Sequence, residues 1–135
     1  MKKIILLVIV VSILGFTLSI KCKYSPLVYK TQQQEGGTVT LEITPQVLSP
    51  GKQPIFSIVF DTHSVDLDFD IAAAALLTDA NSASYGAAIW NGNPPGGHHR
   101  KGILTFTKIL KDTADVATLT LSDIAERDWK FRWTL

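Results

Sequence analysis

The chain has 135 residues, enough for one domain and a targeting segment, and 46% of them are hydrophobic. Four of its thirteen basic residues lie within positions 1–23, so nine basic and twelve acidic residues follow and give that part a net charge of −3. A negative charge without a basic cluster argues against a nucleic-acid partner. The only cysteine, Cys22, excludes an internal disulfide, so the domain depends on an apolar core.

Residues 1–23 predict a signal peptide or a single-span membrane anchor. Two lysines precede an uncharged apolar run at 4–20, which is long for a signal-peptide core and short for a span of about twenty residues. Three alternatives remain open: an uncleaved anchor, a signal cleaved after the small residues Thr17 and Ser19, and a lipidated Cys22. All three place the rest of the chain on the extracytoplasmic side, at the cell membrane or secreted.

Residues 24–37 predict a polar tether with three consecutive glutamines and a Gly-Gly end, and a folded domain is expected at 38–135. Short runs in that domain alternate between apolar and polar residues, which is typical of strands with one buried face. The runs lie at 38–44, 55–61, 65–71, 102–109, 116–122 and 129–135. Residues 72–79 and 84–90 predict a hairpin around 80–83. Because consecutive alanines form strands poorly, a helical turn within 71–77 is the alternative.

The strand pattern predicts an all-β fold. Seven or eight short strands without an amphipathic helix indicate an immunoglobulin-like antiparallel β-sandwich, preceded by one N-terminal apolar helix. In the last run Trp129, Phe131 and Trp133 share one face and are expected in the core.

The three histidines fall in two segments, with His63 in the first and His98 and His99 in the second. Loops between strands gather at the ends of a sandwich, so these segments are expected to meet and to bind one divalent ion. Imidazole and carboxylate groups suit copper or zinc. The predicted ligands are His63, one of His98 and His99, and Asp66 or Asp61, unless that aspartate instead fixes an imidazole tautomer.

Three further residues are expected to support this site. Asp68 and Trp90 lie close to the histidine segments in sequence, and Arg100 is expected to hold an aspartate through paired hydrogen bonds. Calcium fits less well, because aspartates at every second position of a strand point in parallel roughly 6.5 to 7 Å apart. Blue-copper and cysteine–zinc sites are excluded, since neither cysteine nor methionine follows residue 22.

Three other interpretations use the same residues. The loop end could recognise a protein or glycan partner through Trp90, His98 and Arg100, or Trp90 could act as a lid on the sandwich. Aspartates that alternate with apolar residues are also what a solvated edge strand carries. No familiar catalytic motif is present, which favours metal binding, delivery or sensing over an enzyme.

The stretches DTHSVDLDFDIAAAALL and PPGGHHRKGILTF, with Trp90 between them, resemble an uncharacterised family of small exported bacterial and archaeal domains. That family carries Thr-His-Ser-Val-Asp-Leu-Asp and Gly-Gly-His-His-Arg motifs, and the resemblance covers residues 38–135. It implies one exported domain and no particular chemistry. In layout the chain is also similar to copper-carrying immunoglobulin-like periplasmic proteins, but it lacks their N-terminal histidine and methionine-rich loop.

Overall fold

The computed structural model describes residues 28–135, and the regular structure of this part is almost entirely β. In chain order the elements are β1 (Gln32–Gly36), β2 (Val39–Val47), β3 (Ile55–Thr62), α1 (Ile71–Ala74), β4 (Ala75–Thr78), β5 (Ala88–Gly92), β6 (His99–Phe106), β7 (Val116–Ile124) and β8 (Arg127–Thr134).

The strands form two antiparallel sheets. One sheet has five strands in the order β1–β2–β3–β6–β5, and the other has three in the order β4–β7–β8. The chain changes sheet after β3, after β4 and again after β6, so each sheet is assembled from distant parts of the sequence. The predicted all-β, two-sheet fold is confirmed.

The core lies between the sheets and is built by every second residue of the longer strands. Val39, Leu41 and Ile43 on β2 are buried, as the sequence predicts. Aromatic rings join the two layers, since Phe56 on β3 lies 5.4 Å from Trp133 on β8 between ring centroids. Burying each large apolar side chain contributes about 1.5 to 3 kcal/mol, which makes this face the main source of stability.

The segment predicted to be a tether contains β1. Gln32–Gly36 pairs with β2 around a two-residue turn, Gly37–Thr38, and Gly37 has a φ of 62°, as the first position of such a turn requires. The five-stranded sheet therefore begins inside the predicted tether at 24–37. Sequence reasoning missed this strand because glutamine, glutamate and glycine are weak strand formers and supply no apolar alternation.

The strand predicted at 65–71 is wrong. Leu67 and Ile71 are buried, as the alternation requires, but residues 63–70 form a loop and α1 follows. The Asp70 side chain caps this helical turn by accepting hydrogen bonds from the backbone N–H groups of Ala72 and Ala73, at 2.9 and 3.1 Å. A capping carboxylate ahead of an alanine run is the local signal that favours the helical alternative over a strand.

The hairpin predicted from 72–79 and 84–90 is also wrong beyond its turn. β4 pairs with β7, whereas β5 pairs with β6 in the other sheet. Asp79 organises the turn between them. Its Oδ1 accepts hydrogen bonds from the backbone of Asn81 and Ala83, and Oδ2 accepts one from the Tyr85 hydroxyl at 2.8 Å.

We expect the turn at Asp79 to make the domain sensitive to acid. The hydrogen bond from Tyr85 lowers the pKa of Asp79 below its ordinary value of 3.8, with smaller help from the backbone donors and Lys111. A lowered pKa stabilises the fold above that ordinary value, and the contribution is lost as the pH falls through the folded-state pKa. Urea unfolding between about pH 6 and pH 2 measures this effect. Below about pH 4 the free energy of unfolding should decline less for Asp79→Asn than for the native chain. Equal declines in both proteins would contradict this role.

The predicted apolar helix at 4–20, and with it the signal peptide or membrane anchor at 1–23, lies outside the described residues. Between residues 28 and 135 no helix has the length and apolar character needed to cross a bilayer.

Candidate metal site at the end of β3 and β6

The two histidine-bearing segments lie side by side at one end of the five-stranded sheet. The register of β3 and β6 places Asp61 opposite His99. Beyond that pair, the N–H of Thr62 donates to the carbonyl of His98 at 3.0 Å. A further backbone hydrogen bond connects the two loops: the N–H of Leu67 donates to the carbonyl of Gly97 at 2.9 Å. The chain thus fixes the loop after β3 against the loop before β6.

Three exposed side chains, which we call the histidine cluster, meet at this end: Asp61, His63 and His99. The Nδ1 atom of His99 lies 3.3 Å from Oδ1 of Asp61, and the two side chains are 68% and 49% exposed. The rings of His63 and His99 are 6.3 Å apart between centroids and nearly perpendicular, at 79°. When Nδ1 of His99 carries a proton for Asp61, Nε2 presents its lone pair outward, as in carboxylate–histidine–metal arrangements.

Strand alternation decides which of the two adjacent histidines joins the cluster. The even-numbered residues of β6 face the core, beginning with the buried Arg100, so His99 projects from the outer face together with Asp61. His98 precedes β6, is exposed, and accepts the bond from Thr62 through its carbonyl group. His99 is therefore the histidine that the fold brings to Asp61 and His63.

The other two candidate aspartates lie in the loop after β3. Oδ1 of Asp66 accepts a hydrogen bond from the N–H of Gly97, which fastens the glycine loop that precedes His98 and His99. Asp68 is exposed and lies one residue beyond the buried Leu67. Asp66 thus acts on the loop geometry, while neither residue belongs to the histidine cluster.

Arg100 does not hold an aspartate, which corrects the sequence prediction. Its side chain is only 1% exposed, and Nη1 donates to the carbonyl oxygens of Leu67 and Phe69 at 2.9 and 2.7 Å. The guanidinium lies over two aromatic rings, 5.2 Å from the centroid of Phe69 and 5.9 Å from that of Trp90. Burial lowers the pKa of Arg100, and Asp70 opposes that shift. Arg100 therefore fixes the loop after β3 and is not available to a partner.

Trp90 is half-buried and packs against the core. Its indole N–H donates to the carbonyl of Asn93 at 3.0 Å. The ring lies over the facing pair Gly92 and Gly102, where a Cβ on either glycine would come within 2.7 Å of the indole. These contacts hold the indole against β5 and β6, and the roles of Trp90 as a lid or as a partner contact both stay predictions.

A shallow depression of about 260 Å³ adjoins the histidine cluster on the outer face of the five-stranded sheet. Its lining residues are Thr38, Thr40, Glu42, Val59, Asp61, Thr62 and His63. Sequence reasoning missed the three residues contributed by the β1–β2 turn and β2, because their proximity to Asp61 depends on strand pairing and leaves no local signal. Two carboxylates and one imidazole make the depression favourable for cations.

Within residues 28–135, no three His, Cys, Asp or Glu side chains are already arranged to hold a metal ion together. Comparisons of the chain with protein-family profiles, with curated proteins and with solved structures found no match. The family resemblance of the two histidine motifs therefore stays a prediction, and the geometry of the cluster is the basis for a functional proposal.

Proposed function

We propose that this protein is an exported domain, tethered to the membrane through residues 4–20, that binds one divalent metal ion at the histidine cluster. His63 and Nε2 of His99 are the proposed ligands, and Asp61 fixes the tautomer of His99 through Nδ1. The observation that carries the proposal is the 6.3 Å separation of the two exposed imidazole rings beside that carboxylate.

The ring separation is close to what a shared ion needs. Two imidazoles bound at about 2.0 to 2.1 Å place their ring centroids roughly 4.5 to 6.4 Å apart as the angle at the metal increases from 90° to 180°. The observed separation of 6.3 Å lies within that range, and rotation of the exposed side chains can direct both donor nitrogens to one ion. The chain then supplies two nitrogen ligands, and water completes the coordination sphere.

This ligand set favours copper over zinc. Two imidazoles with oxygen donors in the remaining positions suit the tetragonal geometry of Cu(II), and copper stands above zinc in the general order of affinities. A structural zinc site closes with four protein ligands, which this cluster does not offer. The proposed role is binding, delivery or sensing of the ion, and not catalysis.

The strand order supports an immunoglobulin-like classification within this proposal. The pairing β2–β3–β6–β5 opposite β4–β7–β8 has the same order as the two sheets of a constant-type immunoglobulin sandwich, with β1 added at the outer edge. In that layout the loops after β3 and before β6 belong to one end, as the metal proposal requires.

The alternative, recognition of a protein or glycan at this end, receives less support. Two of its three contact residues are engaged elsewhere, since Arg100 is buried and Trp90 covers the glycine pair. His98 remains exposed.

Titration of the full chain with Cu(II) tests the proposal. One equivalent should bind, electron paramagnetic resonance should report two coordinated imidazole nitrogens, and Zn(II) should bind more weakly. Affinity should fall on acidification from about pH 7.5 to pH 5, because a protonated imidazole cannot ligate a metal. An absence of nitrogen coupling in the copper spectrum would refute the site.

A further inference from the structure

Side chains of β1, rather than another strand, cover the free edge of β8. In the described part of the chain β8 is the last strand of the three-stranded sheet, so carbonyl groups on its outer side have no backbone partner within that sheet. The side-chain amide of Gln32 donates to the carbonyl of Arg132 at 2.9 Å, and that of Gln34 donates to the carbonyl of Lys130 at 2.7 Å. The two glutamines are two residues apart on β1, and their two acceptors are two residues apart on β8. This spacing is the repeat of residues on one face of a strand.

A third contact fastens the turn end of β1. Arg127, the first residue of β8, stacks its guanidinium 4.2 Å from the ring centroid of Trp129 and donates to the carbonyl of Glu35 at 3.4 Å. The guanidinium fills the place of a side chain at Gly36, where a Cβ would collide with Nη1. β1 therefore connects both sheets, through backbone pairing with β2 and side-chain bonds to β8.

The hydrogen bonds to β2 and β8 hold β1 through polar groups, and the nearest side chain packed against the core on its N-terminal side is Tyr29. The residues of β1 alternate between half-buried and exposed, and none belongs to the apolar core. Exposed hydrogen bonds contribute little net free energy, because water replaces them when they break. Elements with few buried apolar contacts open far more often than the whole domain unfolds. When β1 detaches, it leaves the edges of both β2 and β8 open to another strand.

We propose that β1 is an exchangeable strand, and that at high concentration β1 of one copy docks onto β2 and β8 of a second copy. Strand exchange between identical chains reproduces every contact of the closed form, so only the connecting turn changes. Direct pairing of two β8 strands fits less well, because Lys130 and Arg132 project outward and would face the same basic residues of the other copy. β1 brings the glutamine amides and the acidic Glu35 instead.

The turn Gly37–Thr38 is the hinge of this exchange. Gly37 has a φ of 62° and open space around its Cβ position, so a valine there would be strained only by the backbone conformation. Straightening the turn relieves that strain in the exchanged dimer. Gly37→Val should therefore raise the dimer association constant about tenfold or more. Gly97→Val is the matched control, since Gly97 has a φ of 78° and equally open surroundings but does not connect β1.

Disulfide trapping reports the exchange in the full chain, held in detergent with chelator and with Cys22 changed to serine. Cysteines at Glu35 and Thr40, which face each other between β1 and β2, link two chains after exchange and one chain otherwise. A cysteine pair at Thr44 and Ser57, between β2 and β3, should link only within one chain. We expect covalent dimers from the first pair, increasing with concentration and with Gly37→Val, but not with Gly97→Val.

If the pair at Glu35 and Thr40 forms disulfides only within single chains at millimolar concentration, in the native and Gly37→Val backgrounds, β1 does not exchange. Circular dichroism identifies a valine variant that fails to fold. In that case, the amount of covalent dimer as a function of concentration, for Gly37→Ala and for the native turn, decides whether β1 exchanges. The chelator separates this result from the proposed metal site, because exchange needs no ion.

Discussion

Replacing His63 or His99 with alanine should weaken Cu(II) binding by about 100-fold or more, because each substitution removes one of the two imidazole ligands. The expected loss of affinity is larger than the 10- to 100-fold loss typical of residues that only support a ligand. Both side chains are exposed and neither supports the core, so the domain should keep its stability. Loss of binding without loss of folding is the signature of a ligand.

The neighbouring His98 provides a matched control for this experiment. It has the same side chain and is also exposed, yet it precedes β6 and takes no part in the His99–Asp61 contact. His98→Ala should change Cu(II) affinity by less than about twofold, whereas Asp61→Asn should weaken it about tenfold by releasing the His99 ring. Isothermal titration calorimetry with each variant measures these differences. A strong loss with His98→Ala and none with His99→Ala would show that the cluster is misassigned.

Most of the core could be predicted from the sequence, because burial of one strand face imposes a local pattern. Phe56, Ile58 and Phe60 alternate with outward residues, and all three are fully buried on β3. The same rule correctly placed Trp129 and Phe131 on the inner face of β8. Apolar alternation needs no knowledge of strand partners, and for that reason it succeeded here.

Strand partners and weakly patterned elements could not be predicted in this way. β1 has no apolar face, and its glutamines are explained only by carbonyl groups of β8 about one hundred residues away in sequence. β4 and β5 are adjacent in the chain but belong to different sheets, a choice that depends on tertiary packing. Burial alone also failed to exclude the strand predicted at 65–71, because Leu67 is buried in a loop and Ile71 is buried at the start of α1.

The sequence indicated the composition of the candidate site but not its geometry. His63 and the pair His98 and His99 were identified by residue type alone, whereas the choice of His99 depends on its register with Asp61. Arg100 was misjudged for a physical reason: arginine is almost never fully buried unless it is paired, and here Nη1 is paired while Nε has no hydrogen-bond partner among the described residues. The acceptors that permit its burial are carbonyl groups of a loop about thirty residues earlier, and nothing in the local sequence marks them.

Replacing Arg100 with methionine should lower the free energy of unfolding by about 2 to 4 kcal/mol. Methionine retains an apolar stem of similar length but loses the charge-assisted bonds to the carbonyl groups of Leu67 and Phe69, and it also loses the cation–π contacts with Phe69 and Trp90. The desolvation that lowers the pKa of Arg100 is relieved by the change and offsets part of this loss.

The adjacent Lys101→Met is the control for this substitution. Lys101 is exposed on the outer face of β6, so its replacement should alter the free energy of unfolding by less than about 0.5 kcal/mol. Urea unfolding followed by tryptophan fluorescence measures both changes. An effect of Arg100→Met no larger than that of Lys101→Met would mean that desolvation cancels the hydrogen bonds.

Arg100→Met should also weaken Cu(II) binding in the chain that remains folded, although Arg100 does not belong to the histidine cluster. Nη1 of Arg100 ties the carbonyl groups of Leu67 and Phe69 to β6, and the same loop begins at His63. Without these hydrogen bonds the loop is less restrained, and His63 can move away from the His99–Asp61 pair. A folded Arg100→Met protein should therefore bind Cu(II) about tenfold less tightly, whereas Lys101→Met should bind with native affinity. Because Asp66 also holds the loop, through its bond to Gly97, the loss should stay smaller than that caused by removing His63 itself.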